Sequence, residues 1–233
     1  MNNIKLLICI LGILLAIILP ACIASRELVL VVLFDLSGST INDREYYYND
    51  FKEKILLQKI DTDDTVIIAI GIITDNSMKE HPIANETLIG MESPFARRGK
   101  VEKILNKVKG HLLNNEAIQS QLTDILGAMY VTPNDVFNAY KDDNNKKVLV
   151  VFSDMIHEYN DCNFKKESLT SNRIEEIISN KRNNGGLPSL DKVKVYVAGA
   201  TGQPNIKNFW DKYFKSCGAV LEYYGRTLIK FKE

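Results

Sequence analysis

The chain alternates between uninterrupted apolar runs of strand length and amphipathic stretches with helical spacing. Three apolar runs, at residues 28–34, 65–73 and 147–152, are rich in Val, Ile and Leu and show no polar alternation. Such runs are typical of strands that are buried on both faces of a parallel sheet. Further strands are predicted at residues 83–91 and 193–198, the first of them at a sheet edge because of Pro82. Residues 220–224 and 227–231 are expected to form one or two more strands.

Amphipathic segments separate these strands and predict helices. The predicted helices cover residues 42–59, 100–113, 121–140, 172–181 and 205–215, and Pro133 predicts an interruption or kink in the third of them. Strands that alternate with helices favour a doubly wound α/β fold. We therefore expect a mostly parallel, Rossmann-like central sheet with helices on both faces, formed by one domain at residues 27–233.

Polar side chains follow the first predicted strand at the point where it ends. Asp35 closes the apolar run, and Ser37 and Ser39 follow at i+2 and i+4, with Gly38 supplying a tight turn. Ligands of open α/β sheets bind at the carboxyl ends of the strands. One carboxylate and two hydroxyls at such a place predict an oxygen-only site for a hard cation.

Two later residues extend this candidate site. Thr123 stands at the start of a predicted helix, and Asp154 follows the strand at residues 147–152 with Ser153 before it. Because parallel strands end at a shared edge, we expect both side chains near Asp35. The alternative for each residue is a cap of a helix, turn or loop, with no metal involved.

The N-terminal segment predicts export from the cytosol. Residues 6–24 carry no charge and lie between Lys5 and Arg26. A stretch of this length lies between a secretory signal and a membrane-spanning helix. Three outcomes stay open: lipidation after cleavage, an uncleaved single-span anchor, or simple cleavage near Ala24. Each of them makes residues 1–24 a signal or anchor and puts the domain outside the cytosol, in a periplasm or at a cell surface.

A short string inside that segment favours lipidation. Leu19-Pro20-Ala21-Cys22 resembles the lipobox of bacterial lipoproteins. The resemblance implies that Cys22 carries the lipid and becomes the mature N-terminus, so that the membrane is one partner of the protein.

Net charge gives no reason to expect a nucleic-acid partner. The chain holds 29 basic and 29 acidic residues, and such a balance lacks the basic excess that attracts a polyanion. About 210 residues after the N-terminal segment suffice for one domain with a sizeable core.

The set of oxygen-bearing residues resembles the metal-ion-dependent adhesion site (MIDAS) of von Willebrand factor type A (vWA) domains. In that family the site reads D-x-S-x-S, then a Thr, then an Asp, which match Asp35-Leu36-Ser37-Gly38-Ser39, Thr123 and Asp154. The chain departs from the family at two positions, where Leu122 and Met155 replace frequent glycines. The resemblance covers most of residues 27–233 in the order of its elements.

The resemblance implies a role for each residue. Ser37, Ser39 and Thr123 would contact Mg²⁺ or Mn²⁺ directly, while Asp35 and Asp154 would act mostly through ordered water. Neutral direct ligands leave the cation under-neutralised, so an Asp or Glu of a partner protein can complete its shell. We expect the polar segments at residues 77–93 and 157–171 to set specificity.

A second resemblance predicts an enzyme instead. Residues 34–40, FDLSGST, are similar to the D-x-D-G-T nucleophile motif of haloacid-dehalogenase-type phosphatases, in which Asp35 would attack phosphorus. Ser37 then replaces the second acid, which removes the general acid of that chemistry. The leading prediction is therefore a binding module that is not an enzyme, and a metal-free scaffold module is a further alternative.

Overall fold

The central sheet has six strands among the residues that the computed structural model describes, which are 27–114, 122–159 and 162–229. The strands are β1 (Leu28–Asp35), β2 (Val66–Ile73), β3 (Ala84–Leu88), β4 (Lys146–Phe152), β7 (Lys194–Ala198) and β8 (Val220–Gly225), and a separate hairpin holds β5 (Glu158–Tyr159) and β6 (Cys162–Asn163). Their order in the sheet is β3-β2-β1-β4-β7-β8. Neighbouring strands are parallel except for the edge strand β3, which is antiparallel to β2.

Five α-helices of the described residues flank this sheet. They are α1 (Arg44–Phe51), α2 (Pro94–Leu113), α3 (Ile125–Ala139), α4 (Ser171–Asn183) and α5 (Pro204–Ser216). The first of them continues as a π-helical turn, Lys52–Leu56, and a short 3₁₀ turn, Leu57–Lys59. The predicted helix at residues 42–59 is therefore confirmed in extent but is α-helical only in its first half.

The central strand β1 shows why the sheet is covered on both faces. All eight of its residues are buried. Alternate side chains belong to two different cores, with Leu33 packed among residues of α3, α4 and α5 and Phe34 packed among residues of α1 and α2. Because successive side chains of a strand point to opposite faces, both faces must be apolar. The prediction of a doubly wound, mostly parallel α/β fold is confirmed.

Two helix boundaries differ from the sequence prediction. Helix α2 begins at Pro94, six residues earlier than expected, because Ser93 caps it by accepting a 3.3 Å hydrogen bond from the Ala96 amide. Helix α3 begins at Ile125 and runs through Pro133 without interruption. Its N-cap is Asp124, which accepts a 2.8 Å hydrogen bond from the Gly127 amide.

Because edge strand β3 is antiparallel to β2, the last part of the segment at residues 77–93 lies at the end of the sheet opposite the candidate site. Ala84 pairs with Ile70, and Leu88 pairs with Val66 at the beginning of β2. The chain after β3 therefore emerges at the amino ends of the parallel strands. Residues 89–93 lie opposite the carboxyl edge, so the expectation that the whole segment 77–93 borders the site is wrong.

The segment at residues 157–171 is more ordered and more apolar than its composition indicates. It contains the β5–β6 hairpin, and the side chains of Cys162, Phe164 and Leu169 are buried in the core beside α4 and α5. The segment is therefore a packed layer over the sheet edge.

Predictions that concern the N-terminal segment lie outside the described residues. This holds for the signal or anchor at residues 1–24 and for lipidation of Cys22. Among the helices of the described ranges, none is long and apolar enough to cross a membrane.

Candidate metal site

Asp35 is held rigidly at the carboxyl end of β1. Its side chain is fully buried. One carboxylate oxygen, Oδ1, accepts a 2.8 Å hydrogen bond from the Ser37 amide, and Oδ2 accepts a 2.6 Å hydrogen bond from the Ser153 hydroxyl. Since Ser153 directly follows β4, this contact joins the ends of two neighbouring strands and fixes the orientation of the carboxylate.

The two serines after Asp35 bring their hydroxyls together. Ser37 Oγ and Ser39 Oγ lie 3.0 Å apart. Ser37 is buried while Ser39 is exposed. The inner hydroxyl therefore lies in the protein interior and the outer one at the surface. Two oxygens at this separation can both contact one cation, because ligand oxygens of Mg²⁺ stand about 2.0–2.1 Å from the ion.

A second layer of contacts holds this loop in place. The Thr40 hydroxyl donates to the carbonyl oxygens of Asp35, at 2.8 Å, and Ser37, at 3.1 Å. The buried Arg44 at the start of α1 donates through Nη2 to the Leu36 carbonyl oxygen at 2.5 Å. The hydrogen bonds of Thr40 and Arg44 therefore fix the backbone of the loop that carries the serine hydroxyls.

Asp154 faces the same loop from the end of β4. Its Oδ1 accepts a 2.9 Å hydrogen bond from the Ile156 amide. The Ser39 side chain is near enough to the Asp154 carboxylate to oppose part of the rise in its pKa. The exposed serine of the pair therefore neighbours the second acid of the predicted set.

The surroundings of both carboxylates disfavour their ionisation. Burial, together with the neighbouring charge of Asp154, raises the pKa of Asp35 to about 6. Burial also raises the pKa of Asp154 above its ordinary value. A fully buried acid next to a half-buried one is stabilised in its ionised form by a positive charge nearby, and a divalent cation would provide that charge.

Thr123 reaches this rim from the segment before α3. Its backbone pairs with Glu158, beyond β4, through two 3.0 Å hydrogen bonds. The next amide, of Asp124, donates to the Thr74 carbonyl oxygen at 2.8 Å, just beyond β2. Because β1 lies between β2 and β4 in the sheet, Thr123 lies across the carboxyl end of β1, where the Asp35 loop begins.

The donor set suits a hard cation. Asp35, Ser37, Ser39 and Asp154 bring two carboxylates and two hydroxyls to one rim, and the backbone of Thr123 is held at the same edge of the sheet. All of their donor atoms are oxygen, as Mg²⁺ or Mn²⁺ prefers. Within residues 27–114, 122–159 and 162–229, no group of three or more His, Cys, Asp or Glu side chains is arranged to hold a metal. The candidate therefore depends on its hydroxyls.

Met155 keeps a backbone shape that favours glycine. Its φ is +63°, in the left-handed region, although its side chain is fully buried. Its carbonyl oxygen accepts a 2.9 Å hydrogen bond from Trp210 Nε1. Although Met155 replaces a frequent glycine of the family, the backbone beside Asp154 keeps the left-handed conformation. Core packing of the Met155 side chain holds that conformation in place of the conformational freedom of glycine.

Sequence reasoning missed residues that support the site. Ser153 was noticed only as the neighbour of Asp154, and Thr40 and Arg44 were not singled out. His157 is fully buried and accepts a 3.1 Å hydrogen bond from the Ile125 amide at Nδ1, so it holds the start of α3. The position of Ser153 beside Asp154 was the available clue, since a hydroxyl there can reach a neighbouring strand end.

Comparisons with known proteins find likeness in structure but not in sequence. No family description matches the chain, and no curated protein matches it. The fold is similar to the VWA domain of SpRpn10, with a TM-score of 0.45, 11% identity and coverage of 86% of this chain and 89% of that one. It is also similar to manganese-loaded Plasmodium vivax TRAP protein, with a TM-score of 0.44, 14% identity and coverage of 87% and 69%.

A third similar structure is the human COPII-coat protein Sec24c. Its TM-score is 0.43 at 9% identity, and the match covers 88% of this chain and 30% of that one. At such scores the assignment of site residues rests on the geometry of this chain alone.

Proposed function

We propose that this protein is a vWA-type interaction module that binds one Mg²⁺ or Mn²⁺ ion and captures an acidic side chain of a partner protein. Ser37, Ser39 and Thr123 would contact the cation, and Asp35 and Asp154 would supply its compensating charge. The ion, when bound, supplies a positive centre that accepts a carboxylate oxygen.

One observation carries this proposal. The Ser37 and Ser39 hydroxyls, 3.0 Å apart, lie between a buried acid and the surface, and the Asp154 carboxylate neighbours the outer serine. A turn that only needed capping would not require two acids whose pKa values are both raised. A cation relieves that repulsion.

The choice of neutral ligands favours capture of a carboxylate. The three hydroxyls coordinate the cation without neutralising its charge, because they are uncharged. The two carboxylates act mostly through water, so they do not cover the exposed side of the cation. The surface at Ser39 therefore still attracts an anion. The exposure of Ser39 leaves room for a partner's Asp or Glu to approach.

The geometry of Asp35 argues against the phosphatase alternative. A nucleophilic carboxylate must present a free oxygen to phosphorus, whereas Asp35 is fully buried and both of its oxygens accept hydrogen bonds. Ser37 in place of a second acid also provides no general acid. We therefore propose a module without enzymatic activity.

Membrane attachment through the N-terminal segment is the second part of the proposal. Its support is the apolar stretch at residues 6–24 and the lipobox resemblance around Cys22. Labelling of expressing cells with a palmitate analogue tests it, with Cys22→Ala as the matched variant. Label on the wild type but not on the variant is expected. An unlabelled protein that still carries its N-terminus would indicate an uncleaved anchor.

Capture of an acidic group can be tested with a defined probe. A peptide with a single Asp in a Gly/Ser background is titrated onto the full-length protein in Mg²⁺ and in EDTA, beside the same peptide with Asn. Binding should need both Mg²⁺ and the Asp, and it should be lost in Ser39→Ala. Equal binding of the Asn peptide, or binding that persists in EDTA, would contradict the proposal.

A further inference from the structure

A cleft adjoins the candidate metal site. Its volume is about 700 Å³, and Ser39 and Asp154 of the metal site form one of its walls. We call it the side cleft. Its other walls include the turn after β7, with Thr201, and the beginning of α5, with Lys207. The end of β8, with Tyr224, and the residue that follows β8, Arg226, complete them. The space exceeds what a single cation with its water needs.

Two cationic side chains line the side cleft. Lys207 and Arg226 are both exposed, and within the described ranges neither makes an ion pair or a side-chain hydrogen bond. The acids that line the side cleft are Asp154 and Asp43, and Asp154 already belongs to the metal site. With a divalent cation bound, the balance of charge around the cleft is positive.

Two hydroxyl groups in the walls of the side cleft are unsatisfied among the described residues. Thr201 Oγ1 and the Tyr224 hydroxyl are shielded from solvent, and neither has a hydrogen-bond partner there. An unsatisfied buried polar group costs about 1–3 kcal/mol. A small rotation of either side chain toward the cleft would let it donate to an acceptor oxygen of a ligand.

A smaller pocket, of about 230 Å³, continues from the side cleft past Asp43, Gly199 and Arg226. Tyr47 lines it and is fully buried, and its hydroxyl also has no partner among the described residues. Gly199 has a φ of +96°, and a Cβ there would collide with the Tyr47 hydroxyl. The backbone thus approaches this hydroxyl more closely than a side chain would allow.

The beginning of α5 adds to the positive field of the side cleft. Pro204 occupies the first turn, and the side chain of Gln203 makes no capping hydrogen bond. Uncapped amides at a helix N-terminus favour negative charge nearby. This contribution is secondary to the cationic side chains and the unpartnered hydroxyls.

We propose that the side cleft binds a second carboxylate of the same partner segment, next to the acidic side chain that the cation captures. The inference rests on the proposed function, because the first carboxylate is the one at the metal. The partner is then a protein segment with two acidic side chains close together: one meets the cation beside Ser39, and the other meets Lys207 and Arg226.

The test uses a panel of peptides in which two Asp residues are separated by one to five Gly or Ser residues. Each has a matched peptide in which the second Asp is Asn, and binding to the full-length protein in Mg²⁺ is measured by fluorescence anisotropy. The best two-Asp peptide should bind about tenfold more tightly than its match, as expected for close charge pairs at an interface. Lys207→Met and Arg226→Met should each reduce that ratio and leave the one-Asp peptides unchanged.

Lys215→Met is the matched control, because Lys215 is exposed at the far end of α5. The Lys215→Met variant should keep the full ratio of affinities between the two-Asp peptide and its matched peptide. A ratio near one at every spacing in the wild type, or a ratio that survives both cleft substitutions, would overturn the inference and leave single-acid capture standing. If no peptide binds in a Mg²⁺-dependent way, the proposed function itself fails, and the side-cleft assignment fails with it.

Discussion

The Ser153 hydroxyl donates a 2.6 Å hydrogen bond to the Asp35 carboxylate, across the ends of β4 and β1. The same hydroxyl accepts a 2.9 Å hydrogen bond from the Met155 amide. Ser153 therefore links the buried acid of the candidate site to the turn that carries Asp154. It orients Asp35 without being among the predicted metal ligands.

Removal of this hydroxyl should weaken cation binding. Ser153→Ala deletes a hydrogen bond that lowers the pKa of Asp35, so protonation competes more strongly with the cation. Loss of such an orienting partner commonly reduces metal affinity 10–100-fold, and we expect about tenfold weaker Mn²⁺ binding at pH 7. Ser189→Ala, in an exposed loop, is the control. Equal affinities for the two variants would show that Ser153 has no orienting role.

Cation affinity should also depend steeply on pH. The pKa of Asp35 is about 6 in the absence of a cation, and burial raises the pKa of Asp154 in the same direction. Protons must leave these groups before a cation binds. Mn²⁺ affinity should therefore be constant above about pH 7 and fall about tenfold per pH unit below pH 6. Titrations from pH 5 to pH 8 measure it, and a flat profile would contradict the assigned role of Asp35.

The same carboxyl group should destabilise the metal-free fold at neutral pH. Its pKa of about 6 in the folded protein exceeds the ordinary value of 3.8, so the folded state holds the proton more tightly than the unfolded state. The contribution to stability is fully present below pH 3.8 and is lost as the pH rises through about 6. The gap of about 2 pH units corresponds to about 3 kcal/mol.

Asp35→Asn isolates that contribution, because Asn does not titrate. In EDTA, the free energy of unfolding of the variant relative to the wild type should rise by about 2 kcal/mol between pH 4 and pH 7.5, because a part of the effect is already present at pH 4. Denaturant unfolding at several pH values measures the difference. A difference that stays constant with pH, or that falls as the pH rises, would mean that Asp35 is not held in a raised-pKa state.

Backbone strain at Met155 can be separated from its packing. Met155→Ala and Met155→Gly both remove the buried side chain, and loss of such a side chain commonly destabilises by about 2–5 kcal/mol. Glycine adopts the +63° φ without the penalty that alanine incurs. The Gly variant should therefore be more stable than the Ala variant by about 1 kcal/mol. The opposite order would place Met155 outside the left-handed region in solution.

The arrangement of the sheet could be predicted because its strands are continuous apolar runs. β1, β2 and β4 each carry apolar side chains toward both faces, and only a sheet covered on both sides accommodates such strands. Parallel strands also end at a shared carboxyl edge. For that reason the sequence predicts Asp35 and Asp154, which follow β1 and β4, at one rim of the sheet. Thr123 is held at the same rim by its backbone pairing with Glu158. No local pattern in the sequence predicts that pairing.

The side cleft could not be predicted, since its walls come from distant parts of the chain. Lys207 and Arg226 belong to segments after β7 and β8 whose sequences carry no motif. The segment at residues 157–171 was misjudged because Phe164 and Leu169 are isolated among polar residues, although both are buried. Tertiary packing decides such positions, and local periodicity does not.

The most direct test of the central claim is an equilibrium titration of Mn²⁺ into the full-length protein at pH 7.5, followed by electron paramagnetic resonance. The account predicts one ion per chain, displaced by Mg²⁺, with at least about tenfold weaker binding by Ser39→Ala, a variant that alters only an exposed side chain. Failure of the wild type to bind Mn²⁺, or equal affinity of the wild type and Ser39→Ala, would contradict it.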